Sequence, residues 1–250
     1  MEEDAADLIY GRRVVLEALR AGRQVNRLFV LAGAGGVPPE LFRLARERSI
    51  PVVRGDRQRL ERLARGGNHQ GVVAQVASRS FAAVQEVFEA AAASPRLALV
   101  LALDGVQDPQ NLGALIRTAE AAGCHGLVLE ARGSCGLTAT VSRAAAGADE
   151  HLPVSRVVGL HRTLADCAAS GFSVVASDPA GTLPYWEAPM TEPTVLVLGA
   201  EGRGLTRAVL EACTHRVRIP MLGRVESLNV AAAGAVLLFE AARQRSGLAR

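Results

Sequence analysis

Seven consecutive apolar residues, Leu97 to Leu103, run without a polar break into Asp104 and then into a turn bearing glycine and proline. A strand with no polar face must be covered on both sides, and helices on both faces of a parallel sheet provide that cover. The same unit returns at Val195-Leu196-Val197-Leu198, which ends in the glycine-rich stretch from Gly199 to Gly204. Around these two strands the periodicity alternates. Helical spacing covers 112–122, 141–146, 158–170, 205–211 and 228–245, and strand-like runs cover 126–129 and 173–176. The fold class is therefore α/β, with a doubly wound domain from residue 96 onward.

The first 77 residues repeat the alternation on a smaller scale. Val14, Val15, Ala18 and Leu19 fall at helical spacing within 10–19, and 41–48 and 57–65 are helical. Segments 27–31, 51–53 and 70–76 are strand-like, and 33–39 is a loop. This predicts a small α/β domain over 1–77. The alanine-rich segment 78–95, closed by Ser94-Pro95, is expected to be a linker with a short helix over 84–91, and 96–250 is the second domain. A hydrophobic content of 49% suffices for buried cores and excludes a disordered chain.

No apolar run approaches the ~20 residues of a membrane span. The opening residues are acidic and lack the basic start and apolar stretch of a secretion signal. No membrane partner and a cytoplasmic location are the expectation. Cys124, Cys135, Cys167 and Cys213 are scattered without a CxxC pair, which argues against a disulfide framework or a metal site.

All 28 basic residues are arginine. Every cation is thus a planar fork suited to phosphate, and lysine is removed as a general base or Schiff-base former. The charge is uneven. Residues 1–80 hold 14 arginines against 9 acids, although the whole chain is only +3. Within Arg43–Arg65 stand eight arginines and three acids. Alone, such a run fits a solvated helical face as well as a nucleic-acid footprint. The nucleic-acid alternative places RNA on Arg12, Arg43, Arg46, Arg57, Arg62, Arg65 and Arg143.

Three segments could carry chemistry. In the first, Asp104 to Glu120, Asn111 is placed as a helix N-cap with free amides behind it. Arg117 follows six residues later, about 120° around the helix. By itself this is also a capped helix with a surface arginine. In the second, Gly199-Ala200-Glu201-Gly202-Arg203-Gly204 permits close backbone approach to a ligand, but its GxxGxG order is not the GxGxxG nicotinamide fingerprint. Glu201 there is a ligand-facing group or a simple turn carboxylate. In the third, Arg218 to Met221 is followed by Glu226-Ser227-Leu228-Asn229-Val230 and an apolar helix, with Ser227 a possible N-cap.

Taken together, NLGALIRTAEAAG at 111–123, LGAEGRGL at 198–205 and IPMLGRVESLNVAAA at 219–233 closely resemble the three signature motifs of the SpoU (TrmH-type) RNA ribose 2′-O-methyltransferases. YGRRVVLEAL at 10–19 and NHQGVVAQV at 68–76 resemble the substrate-binding domain of the 23S rRNA guanosine branch. The resemblance covers nearly the full chain. It implies an RNA-binding domain followed by an α/β-knot domain with a deep trefoil knot, an exception to the rule against knots. It also implies a homodimer with S-adenosylmethionine bound in the knot at Leu198, Gly199, Ile219, Met221, Ser227 and Leu228.

The implied catalytic set is Asn111, Arg117, Glu201, Ser227 and Asn229. Arg117 matches the family's proposed catalytic arginine. Asn111 and Asn229 would hold Arg117 or the ribose, Glu201 would fix its loop or pair with an arginine, and Ser227 would bind ribose or phosphate. Arg143 and Ala145 depart from the lysine and serine that the family often has there, and Arg143 keeps a phosphate grip. The expected activity is ribose 2′-O-methylation of a 23S rRNA guanosine. Alternatives are a tRNA or an rRNA adenosine as target, an inactive RNA-binding assembly factor, and, remotely, a nicotinamide oxidoreductase.

Overall fold

The computed structural model describes residues 7–33 and 36–246. The acidic opening residues and the centre of the loop expected over 33–39 lie outside the described residues. The chain divides into two compact units, residues 1–80 with 136–151, and residues 81–135 with 152–250.

In the first unit, β1 (Asp7–Tyr10), α1 (Arg12–Arg20), β2 (Val25–Leu31), α2 (Pro39–Glu47), β3 (Val52–Gly55), α3 (Arg57–Leu63) and β4 (Val72–Val76) alternate along the chain. The sheet order is β1-β4-β2-β3. β1 and β2 run antiparallel to β4, and β3 runs parallel to β2. Successive residues of a strand face opposite ways. Val72, Ala74 and Val76 accordingly join the core under α1 and α2, while Val73 joins Phe29 and Leu60 under α3.

That two-sided packing corrects one expectation from the charge pattern. Arg43 and Arg46 ride on α2, whereas Arg57 and Arg62 ride on α3, with Arg65 just beyond its end. The two helices lie on opposite faces of the sheet, so the run Arg43–Arg65 does not form one patch.

The segments YGRR and NHQG meet for a physical reason. Gly11 precedes α1 with φ +97°, a left-handed backbone that favours glycine, and it has no side chain to cap the helix. Gln70 supplies the missing acceptor, its Oε1 taking the Arg12 N–H at 3.1 Å while its carbonyl takes Arg12 Nε at 3.0 Å.

The second unit contains α4 (Val84–Ala92), β5 (Leu99–Asp104), α5 (Pro109–Ala121) and β6 (Gly126–Glu130). α6 (Ala139–Ala144) follows in the chain but belongs to the first unit. The second unit resumes with β7 (Val154–Val157), α7 (Leu160–Ala169), β8 (Ser173–Ser177), β9 (Leu183–Pro184), β10 (Thr194–Gly199), α8 (Arg207–Ala212), β11 (His215–Arg218) and α9 (Val230–Arg245). Its sheet is parallel in the order β7-β6-β5-β10-β8-β11-β9.

The valines of β5, β6, β8 and β10 pack on one face against Val87 of α4, Leu160 and Leu164 of α7 and Val209 of α8. On the other face α5 and α9 pack together at Gly234, where a Cβ would collide with Leu115 and stand 3.0 Å from Leu198 Cδ1. Helices therefore cover both faces. The segment expected as a linker contributes α4, whose Val87 is fully buried.

Segment 136–151 is held to the first unit by buried charge. Arg23 lies 2.9 Å and Arg79 2.7 Å from the two carboxylate oxygens of Glu150, and Arg79 is 3.7 Å from Asp149. Ser142 donates to Asp149 at 2.6 Å. The Glu150 side chain is 6% exposed and that of Arg23 8%. Removing one member of a buried pair leaves the other charged and unmatched. Glu150→Ala should therefore cost the first unit about 3 kcal/mol in urea unfolding. A loss under about 1 kcal/mol would be that of a solvated surface pair.

Candidate active site

Three segments meet at the carboxyl ends of β5 and β10: the start of α5, the loop 199–206, and the loop 219–229 that leads into α9. Both helix caps differ from the sequence expectation. Asp108, not Asn111, caps α5, its carboxylate accepting from Gln110 N at 3.0 Å ahead of Pro109 at the first helical position. Asn111 falls inside the first turn, which frees its side chain for tertiary contact. Asn229, not Ser227, caps α9, its Oδ1 accepting from Ala231 N at 2.9 Å and Ala232 N at 3.3 Å.

A primary amide has one accepting oxygen and one NH₂ donor group. With the Asn229 oxygen on the helix, its Nδ2 must face the other way. It donates to Asn111 Oδ1 at 3.0 Å and to Glu201 Oε1 at 2.6 Å. Asn111, Glu201 and Asn229 are thus one hydrogen-bonded chain linking all three segments. Among the described residues the partner of Glu201 is Asn229 and not an arginine.

Asp104 was not singled out in the sequence, although a carboxylate closing an otherwise apolar strand is a visible signal. It is 2% exposed, and its Oδ2 accepts from Thr206 N at 2.7 Å. At the adjacent Gly105 (φ +82°) a Cβ would stand 2.6 Å from Arg203 Nη2. The end of β5 therefore holds the far arm of the loop 199–206. At the near arm, a Cβ on Gly199 would collide with the backbone of Gly204.

A cavity of about 490 Å³ opens beside this loop. Leu198, Gly199, Ile219, Met221, Ser227 and Leu228 all line it, as do Glu201 and three charged residues outside the expected site set: Arg203 and Glu226 from within the motifs, and Asp178 from outside them. Asn111 and Arg117 are not among its lining residues. Arg117 is exposed on α5, with no hydrogen bond or ion pair among the described residues.

The expected RNA-binding arginines all lie in the first unit. Arg12 is held by Gln70. Arg43 pairs with Glu47 at 2.7 Å and Glu40 at 3.9 Å, and Arg57 with Glu61 at 2.8 Å. Arg46, Arg62 and Arg65 make no ion pair among the described residues. Arg143 lies over the Tyr10 ring at 4.5 Å, donates to the Tyr10 hydroxyl, and donates to Thr140 Oγ1 at 2.8 Å.

Burial pushes the Cys124 and Cys213 thiols up to about 12 and Cys167 up to about 11, and it raises Cys135 as well. These thiols stay protonated near neutrality, so none is a thiolate nucleophile. Among the described residues no group of three His, Cys, Asp or Glu could hold a metal ion, and no helix is long and apolar enough to cross a membrane.

A parallel α/β unit with a cavity at its strand ends, between glycine-rich and helix-capping loops, is a ligand-binding architecture, and its similarity to known proteins gives its family. The model of the SpoU rRNA Methylase family matches residues 98–239, and that of RNA 2′-O ribose methyltransferase substrate binding matches residues 8–82. The chain belongs to the SpoU rRNA methylase family.

It is 40% identical over 244 residues to an uncharacterised tRNA/rRNA methyltransferase of Mycolicibacterium gilvum, covering 97% of this chain and 78% of that protein. The crystal structure of the SpoU methyltransferase AviRb from Streptomyces viridochromogenes superposes with a TM-score of 0.81 at 27% identity, over 97% of this chain and 90% of that one. An AdoMet-bound rRNA methyltransferase from Sinorhizobium meliloti superposes with a TM-score of 0.79 at 28% identity, over 97% and 89%.

The cofactor is S-adenosylmethionine. The cavity fits it in size and chemistry. Its volume lies within the range of ~300–1,000 Å³ usual for ligands of this size. Leu198, Ile219, Met221 and Leu228 supply apolar walls, and among the charged lining residues the acids Asp178, Glu201 and Glu226 outnumber Arg203, which suits a cofactor whose net charge is positive.

Two substitutions probe the geometry. Asn229→Asp keeps the cap on α9 but sets a second carboxylate against Glu201 in place of a donor. It should leave the melting temperature within a few degrees and weaken S-adenosylmethionine binding by about tenfold, the equivalent of ~1.4 kcal/mol, as read by calorimetry. Unchanged affinity would show that the chain of amides does not shape the cavity. Asp104→Ala, which leaves Thr206 N–H without its acceptor, should weaken cofactor binding more than Asp104→Asn, which retains an accepting oxygen. Equal effects would remove the Thr206 contact from the explanation.

Proposed function

We propose that this protein transfers the methyl group of S-adenosylmethionine to a ribose 2′-oxygen of RNA, with a guanosine of 23S rRNA as the target. The observation that carries the proposal is the joining of Asn111, Glu201 and Asn229 by direct hydrogen bonds, with Glu201 lining a cavity suited to the cofactor. The cofactor, when bound, supplies an electrophilic methyl on a sulfonium.

What the chain must add is orientation of the attacking oxygen, which can be worth about 7–11 kcal/mol in favourable intramolecular cases, and help with its proton. Glu201 and Asn229 hold the loop that walls the cavity. Asn111 has its carbonyl oxygen occupied by Asn229, so its NH₂ is the end left to donate to ribose. Ser227, exposed and lining the cavity, offers a hydroxyl to ribose or phosphate.

Arg117 grips the phosphate next to the target and polarises the 2′-hydroxyl. A guanidinium stays protonated in proteins, so it acts as a cation and not as a base. Its freedom from any partner among the described residues leaves all its donors for RNA. The first unit binds the RNA. A homodimer, a knotted carboxyl-terminal segment and a cytoplasmic setting complete the proposal.

The test is to incubate the protein with labelled S-adenosylmethionine and unmodified 23S rRNA or tRNA, and to map ribose methylation nucleotide by nucleotide. One stoichiometric mark on a 23S guanosine is the expected result. A mark on tRNA alone would move the substrate, and no mark on either would sink the activity. Arg117→Ala should abolish transfer, by at least about a hundredfold in kcat, with cofactor affinity unchanged. Unaltered turnover would remove Arg117 from the site.

A further inference from the structure

We propose that RNA docks on the α3 face of the first unit, on Arg62, Arg65 and Arg143 around the turn 65–71, and that the α2 face stays free of RNA. The proposal rests on RNA being the substrate and names the surface that receives it.

Charge separates the two faces. α2 carries Arg43 and Arg46 against Glu40 and Glu47, an even balance, and Arg43 is tied to both acids. From Arg57 to Arg65 the other face carries four arginines against the single acid Glu61. Asp56, just before them, directs its carboxylate at Arg59 N, 2.8 Å away, as the cap of α3. Arg57 takes Glu61, and Arg59 lies over the Phe29 ring at 5.4 Å. Arg62 and Arg65 are exposed, make no ion pair among the described residues, and border a shallow, open surface depression with Gln58, Glu61 and Gly66. Free, exposed guanidinium forks offer the positive charge and paired donors that a phosphate backbone takes.

The turn beside them is strained and outward-facing. Arg65 (φ +48°) and Gln70 (φ +51°) hold left-handed backbone although neither is glycine, and Arg65, Asn68 and Gln70 are exposed. Such strain persists only where the surroundings enforce it, and it gathers at ligand sites. Tyr10 lies against this turn, because any Cβ on Gly67 would collide with the Tyr10 hydroxyl.

Tyr10 packs with the α3-face core and carries Arg143 on its ring. Arg143 has two of its five donors engaged, by Tyr10 and Thr140. Its plane is already fixed, so little side-chain freedom is lost when the remaining donors take a phosphate. The buried Arg23–Glu150–Arg79 cluster keeps the segment that bears Arg143 on this unit.

Binding of unmodified 23S rRNA and tRNA transcripts, measured by filter retention across a salt series, tests the assignment. Arg62→Gln/Arg65→Gln should lose roughly tenfold in affinity and reduce the slope of log K against log salt by roughly 1.4 to 1.8, at about 0.7–0.9 per phosphate contact. Single Arg65→Gln should show about half that slope change. Arg43→Gln/Arg46→Gln should bind as the unaltered protein does. An unaltered urea-unfolding midpoint and far-UV circular dichroism spectrum certify the fold of each variant. If the unaltered protein binds RNA and the α3 variants match it, or if the α2 variant loses as much as they do, the docking surface is overturned while the activity stands. If the unaltered protein binds neither transcript, the RNA substrate itself is overturned, and the surface with it.

Discussion

Both ends of the Asn229 side chain are committed, and the site follows from that commitment. Its oxygen closes the amino end of a sixteen-residue helix, and its NH₂ group bridges a carboxylate and a second amide from two other segments. The cap alone is worth about 1 kcal/mol. The bond to the Glu201 carboxylate adds on the order of 1.5–3 kcal/mol, because a charged acceptor strengthens it. Neither could form without the other orientation being fixed, since an amide presents one oxygen and one nitrogen. Helix capping and site assembly are therefore one event, and Asp104 reinforces it by holding the far end of the Glu201 loop through Thr206.

The first unit uses charge differently. Several of its surface arginines pair with neighbouring glutamates, where each pair contributes little, while Arg62 and Arg65 are left open towards solvent. Its buried arginines, Arg23 and Arg79, are instead locked onto Glu150. The lock attaches a segment that follows β6 in sequence to the sheet built from the first eighty residues. Arg143 comes with it and stacks on Tyr10. A residue that departs from the lysine frequent in the family thus gains a planar contact that a lysine ammonium would make less well.

The strands and helices that show a clear period in the sequence are present. The all-apolar Leu97–Leu103 run yields β5, inside the parallel sheet between β6 and β10, and the helical spacing at 112–122 and 228–245 yields α5 and α9, each shifted by two or three residues at its start. β1, β7 and β11, each of four residues, were not read from the sequence, although the equally short β3 was. Both caps were also misplaced. Asp108 and Asn111, or Ser227 and Asn229, are equally good capping types, and only the backbone path selects between them. The cofactor-side residues of the motifs do line one cavity, whereas Arg117 of the same motif set stands away from its lining.

The sequence by itself determined the α/β class, through apolar runs that only a doubly covered parallel sheet can hide, and the family, through three ordered motifs. Only the tertiary structure decided which side chains touch. Face assignment depends on how a sheet is sandwiched, so the continuous basic run Arg43–Arg65 became two separate faces. Hydrogen bonding depends on atoms brought together across more than a hundred residues, so Asn111, Glu201 and Asn229 became one chain, and Asp104, silent as a motif, became the anchor of a loop.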